Sequence, residues 1–109
     1  PAGTLHVPLA AHARFLSQFL RPDAIYGKLM TPYPDSASDY ALGWGIGHHD
    51  TLGQYYRHAG SNTIWLSHVT LLPEQGLVII VNTNLHSEKA GAAMYELAFE
   101  LAEELRAAD

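Results

Sequence analysis

The sequence contains no cysteine, which excludes disulfides and thiolate metal sites and leaves the compartment, periplasmic or cytoplasmic, open. Charge is sparse as well, at 16% of the 109 residues. Six Lys and Arg stand against eleven Asp and Glu, for a formal net charge of −5. No basic cluster offsets that balance, so no nucleic-acid partner is expected. Long apolar runs are also missing. The longest unbroken one, 77–81, falls far short of the roughly 20 residues that span a bilayer, so no membrane span is expected. The opening residues lack the charged, apolar and small-residue succession of a secretory leader. Pro1 already sits in what reads as a structured segment, so the sequence reads as a piece of a longer protein. What is plentiful is apolar: 48% of residues are hydrophobic, the profile of one packed domain rather than of a disordered tract. A chain of this length buries roughly two-thirds of its unfolded surface, which implies modest stability.

Periodicity divides the chain. Over 9–20 the apolar residues Leu9, Ala13, Leu16 and Leu20 recur at helical spacing, and Pro22 closes the segment because the residue before a proline leaves the helical region. Residues 22–39 hold three prolines and the polar run 35–39, and read as connector with one helical turn around 28–30. From Tyr40 the period becomes two. Tyr40, Leu42, Trp44 and Ile46 alternate with Ala41, Gly43, Gly45 and Gly47, which predicts a strand over 40–47 with one large and one nearly bare face. A turn follows over 48–53, then strands over 54–61 and 63–72. Pro73-Glu74-Gln75-Gly76 makes a tight loop with Gly76 free to take positive φ. Residues 77–84 are apolar on both faces, the pattern of a central strand. Ser87 reads as an N-cap with Glu88 in the first turn, and Ala90, Met94, Leu97, Leu101 and Leu105 form the predicted buried stripe of a C-terminal helix. The predicted fold class is α+β: an antiparallel meander of three to four strands with a helix at each end packed on it, the last across one sheet face.

Seven histidines (positions 6, 12, 48, 49, 58, 68 and 86) raise the question of a metal, but no pair has the i, i+4 spacing of a zinc-binding helix, and no metal or cofactor is predicted. No G-x-S-x-G elbow, S-x-x-K nucleophile or glycine-rich phosphate cradle occurs. The distinctive segment is Arg57-His58-Ala59-Gly60-Ser61-Asn62. His58 and Gly60 share a strand face; the imidazole can donate or accept, and the bare glycine opens the backbone to a ligand. On spacing alone this is equally a loop histidine beside a turn glycine.

The order of segments adds to this. Leu29-Met30-Thr31-Pro32, Tyr40-Ala41-Leu42-Gly43-Trp44-Gly45, His58-Ala59-Gly60, Leu72-Pro73-Glu74-Gln75-Gly76 and Val81-Asn82-Thr83-Asn84 follow one another. Together they resemble the C-terminal part of the serine β-lactamase-related family, which includes class C β-lactamases, DD-peptidases and their esterase relatives. The agreement runs from Pro1 to about Asn84, and the final helix matches in position. The resemblance implies a β-lactamase/transpeptidase-like fold of which this chain is one part. The S-x-x-K serine and lysine and a tyrosine motif, which lie upstream in the family, are absent from this sequence. The third motif, often H-x-G in relatives, falls on His58, Ala59 and Gly60. By that mapping His58 lines the cleft beside the nucleophile, while Ala59, Gly60 and Asn62 border the substrate. The backbone N–H of Ser61 becomes one of two oxyanion-hole donors. Ala59 replaces the hydroxyl usual in lactamases, which favours an esterase or peptidase type. The partners implied are the upstream nucleophile-bearing part, on the same protein or a separate chain, and a small acyl substrate (ester, peptide or β-lactam). Such a piece alone would be inactive. The alternative is a non-enzymatic α+β domain that binds a ligand or partner through the sheet face bearing Tyr56 and His58, or that dimerises. A homodimer is expected through an apolar surface near Trp44, Tyr55, Tyr56 and Trp65.

Overall fold

A computed structural model describes residues 4–21 and 24–108, so the expectations placed on Pro1 and Pro22 lie outside the described residues. Helix α1 (Leu9–Ser17) runs on into a 3-10 turn (Gln18–Leu20), followed by helix α2 (Ala24–Leu29). Strands β1 (Gly45–His49), β2 (Gly53–Ser61), β3 (Leu66–Leu72) and β4 (Leu77–Thr83) form one antiparallel sheet in the order β1-β2-β3-β4, and helix α3 (Glu88–Ala108) ends the chain. The α+β class, the four-strand antiparallel sheet and the two terminal helices are as the patterning predicts.

Alternation along the strands sends side chains to two cores, one on each face. On one face Val69, Leu71, Tyr56 and Ile46 meet Leu16, Phe19, Met30 and Trp44 from α1, its 3-10 turn and the following loop. Phe19 packs edge-on against both Trp44, at 5.1 Å between ring centroids, and Tyr26, at 4.7 Å. On the other face Leu52, Leu72 and Ile79 meet Ala98 and Ala102 of α3, with Tyr55 and Phe99 alongside.

Local turn chemistry explains most of the boundaries. Gly76, at φ 65°, closes the 3-10 turn Pro73–Gln75 as expected. The Ser87 hydroxyl accepts from the Ala90 N–H at 3.0 Å and caps α3. The strand predicted over 40–47 is confined to its last residues. Tyr40 bridges Gly45, the Ala41 N–H donates to the Trp44 carbonyl at 2.7 Å, and Gly43 takes φ 93°, so 41–44 is a reverse turn. The alternation fails accordingly: Ala41 is buried and Leu42 exposed. Likewise the third strand starts at Leu66, not Thr63. The Asn62 side-chain oxygen accepts from Ile64 and Trp65, Ser61 Oγ accepts from Thr63, and Thr63 sits at φ 77°. These short polar side chains offer the backbone a turn in place of a ladder. In the connector, α2 extends the single turn expected there, and the Thr31 hydroxyl back-bonds to the Gly27 carbonyl at 2.7 Å.

Three expectations are overturned. Strand β4, patterned as a central strand, is at the sheet edge. Its apolar faces are explained by cover on both sides: Val78 and Ile80 pack toward the Trp44 core and Leu77, Ile79 and Val81 toward α3. The stripe predicted for α3 is buried only at its start, at Met94, with Ala90 half-buried. Met94, Ala98 and Ala102 face the sheet, whereas Leu97 is 41% exposed and Leu101 and Leu105 are exposed beside it. Small residues win because they let the helix come close: Ala98 and Ala102 are fully buried against Leu52, Leu72 and Ile79. The apolar surface expected around Trp44, Tyr55, Tyr56 and Trp65 does not form either. Trp44 is buried, Tyr56 packs on the same core and Tyr55 packs 5.0 Å from Phe99, leaving only Trp65, 55% exposed. No helix of the described residues is long and apolar enough to cross a membrane.

Candidate functional site

Strand β2 outruns its neighbour. Its pairing with β1 ends at Gly45↔Arg57, while pairing with β3 continues through His58↔Val69, Ala59↔His68, Gly60↔Ser67 and Ser61↔Leu66. Among the described residues, the backbone of 58–61 therefore has a strand on one side only. The cause lies in the preceding loop: the reverse turn over 41–44 swings the chain away and brings it back only at Gly45.

A cleft of about 420 Å³ opens beside the start of that stretch, lined by Asp39, Tyr40, Gly43 and Gly45, by Arg57, His58 and Ala59 of β2, and by Tyr95 of α3. His58 is exposed on the Trp44 side of the sheet, its ring 6.2 Å from the indole. Gly60 follows two residues on, on the same face. A Cβ built there would meet only His58 Cε1, at 3.8 Å, which is ordinary contact, so no neighbour within the chain requires a glycine at this position. Ser61 closes the unpaired stretch. Asn62 stands differently from the role expected of it: its side-chain oxygen already takes two loop N–H groups.

Periodicity and motif spacing did not single out the other groups at the cleft. The Arg57 guanidinium lies 4.7 Å from the Tyr95 ring centroid and 5.8 Å from that of Tyr55, and has no carboxylate within ion-pair distance among the described residues. Behind it, His68 is 1% exposed, and neither ring nitrogen has a hydrogen-bond partner among the described residues. Burial, followed by the nearby Arg57 and His58 charges, pushes its pKa down to about 4. Burial likewise raises the Tyr56 pKa. The one signal of Arg57 available in the sequence was its adjacency to the H-x-G triplet.

Comparison with family models, with curated proteins and with solved structures returns no match to this chain. The argument for function therefore rests on the site's own chemistry. His58 can donate or accept a hydrogen bond in the cleft, where Arg57 contributes a positive charge and Asp39 a carboxylate. No hydroxyl is hydrogen-bonded to His58 among the described residues, so the cleft holds a candidate acid–base group without an activated nucleophile. Nor do three or more His, Cys, Asp or Glu side chains gather into a group that could hold a metal ion, among the described residues. A second depression, of about 480 Å³, lies between β4 and the exposed Leu101 and Leu105 of α3; it is apolar and carries no such groups apart from Glu104.

Proposed function

We propose that this chain supplies the third-motif wall of a β-lactamase-related serine hydrolase of esterase, DD-peptidase or lactamase type. In this reading His58 is the polar group beside the nucleophile, Ala59 and Gly60 border the acyl substrate, and the Ser61 N–H serves as an oxyanion-hole donor. The serine and its base come from a segment outside this sequence. The observation that carries the reading is the half-paired stretch of β2: a strand edge left open over residues 58–61, bearing an exposed imidazole and a glycine that the chain's own packing does not require. An open edge of this kind lets a carbonyl-bearing ligand lie against the backbone as an added strand would. One oxyanion donor is worth roughly 3 kcal/mol of transition-state stabilisation. The turn bonds on Asn62 favour leaving substrate contacts to Ala59 and Gly60.

The non-enzymatic alternative has less to stand on, because Tyr56, one of the two residues offered for its binding face, packs against the Trp44 core.

The test is His58→Ala in the polypeptide that carries the nucleophile. Acylation should slow by roughly 10- to 1000-fold, with the melting temperature nearly unchanged because His58 is exposed. A destabilised but fully active variant ends this reading, as does a full reading frame without S-x-x-K upstream. The chain by itself should not hydrolyse activated esters or β-lactams above a buffer blank; turnover abolished by a serine-directed acylating reagent would contradict that.

A further inference from the structure

His68 has an unusual place for an imidazole. It lies within β3, in register with Ala59 on one side and Val81 on the other, beneath α3. A neutral imidazole carries one N–H donor and one acceptor nitrogen, and both are buried without a partner among the described residues. Leaving a buried polar group unpaired costs stability. The Tyr95 ring covers it edge-on, at 4.0 Å between centroids, and the same Tyr95 receives Arg57 and lines the cleft. On the α3 face of the sheet the charged and titratable groups beside His68 are Arg57 from β2 and Tyr95 from α3; His58, on the opposite face of β2, acts on it only through the sheet, and β4 offers Val81. No carboxylate lies within ion-pair distance of the ring among the described residues. A proton arriving on His68 would thus create a buried cation with no counter-charge, beside an arginine.

We propose that His68 is an acid-sensitive latch: its protonation releases Tyr95 and the N-terminal half of α3 from the sheet, and with them the Tyr95–Arg57 wall of the cleft. The C-terminal half stays down because Ala98 and Ala102 are packed against Leu52, Leu72 and Ile79. As regulation of an acyl-transfer site, the latch rests on the function proposed above; as a movement of α3, it does not.

The size of the effect follows from linkage. With α3 closed, the ring takes its proton near pH 4; once released into water it returns to the ordinary 6.5. Acid then favours the open form, and lowering the pH from 7 to 5 raises the opening equilibrium roughly 20-fold. Backbone amide hydrogen exchange over 89–96, corrected for the intrinsic pH dependence of exchange, measures that equilibrium in the chain as it stands. The expected result is a roughly 20-fold loss of protection in the wild type at pH 5, against little change in His68→Leu. Arg57→Gln, altered on an exposed side chain, provides a second arm that does not depend on the core variant folding. Removing the neighbouring positive charge lets the closed state tolerate the proton better, so the acid response should shrink. Protection that is flat with pH in the wild type, or an undiminished acid response in either variant, overturns the latch. A parent protein without hydrolase activity would overturn the proposed function and leave these exchange data untouched.

Discussion

Enlarging Ala98 should damage this protein more than truncating its leucine neighbour. Ala98 is fully buried on α3 against Leu52, Leu72 and Ile79. Ala98→Leu adds three carbons where no space exists and either forces α3 off the sheet or drives side chains out of their rotamers, at a cost of about 1–3 kcal/mol or more. Leu97 is 41% exposed and lies off the face of α3 that contacts the sheet. Full burial of a leucine is worth about 2–3 kcal/mol, so truncating one whose surface is already well wetted should cost about 1 kcal/mol. No closed cavity adds to that figure, because the space opens to solvent. Urea denaturation of both variants, with slopes compared to check that the same surface unfolds, gives the ranking. If Leu97→Ala costs more than Ala98→Leu, the face assigned to α3 is wrong.

Other substitutions probe the rest of the structure. Trp44→Ala removes the ring between Phe19 and His58 and should cost about 3–5 kcal/mol; a loss below 1 kcal/mol by denaturant titration would contradict its burial. The Tyr55 ring lies directly over Gly47, where a Cβ would collide, so Gly47→Ala should destabilise by about 1–3 kcal/mol. A double-mutant cycle with Tyr55→Ala should recover most of that loss. Ser87→Ala removes the N-cap of α3 and should cost about 1 kcal/mol, with Ser87→Asp close to wild type. Finally, because the folded state holds the His68 pKa near 4, below the ordinary 6.5, its share of stability is intact above pH 6.5 and is lost as the pH falls toward 4. The loss approaches about 3 kcal/mol, and a stability profile for His68→Leu parallel to that of the wild type would exclude it.

Part of what depends on a residue and its near neighbours was legible in the sequence, though the turns at 41–44 and 62–65 were read as strand. The Gly76 turn and the Ser87 cap came through because backbone geometry is written within a few positions. The H-x-G triplet was legible as the distinctive segment, but the open strand edge beside it was not: β1 ends opposite Arg57, and that depends on a turn at 41–44 whose alternating large and small residues imitate a strand. For α3 the stripe read from the sequence runs through Ala90 and Met94 into three leucines, and only its first part is buried. Hydrophobicity favours the leucines, but the sheet accepts the face that comes closest, so Ala98 is buried and Leu97 exposed. The composition of β4 announced cover on two faces and was silent on whether a strand lies on both sides, since side-chain burial and backbone pairing are separate demands. His68 was one histidine among seven until α3 folded over it. Its buried ring and its coupling through Tyr95 to the cleft arise from contacts between residues 27 positions apart, which no local pattern encodes.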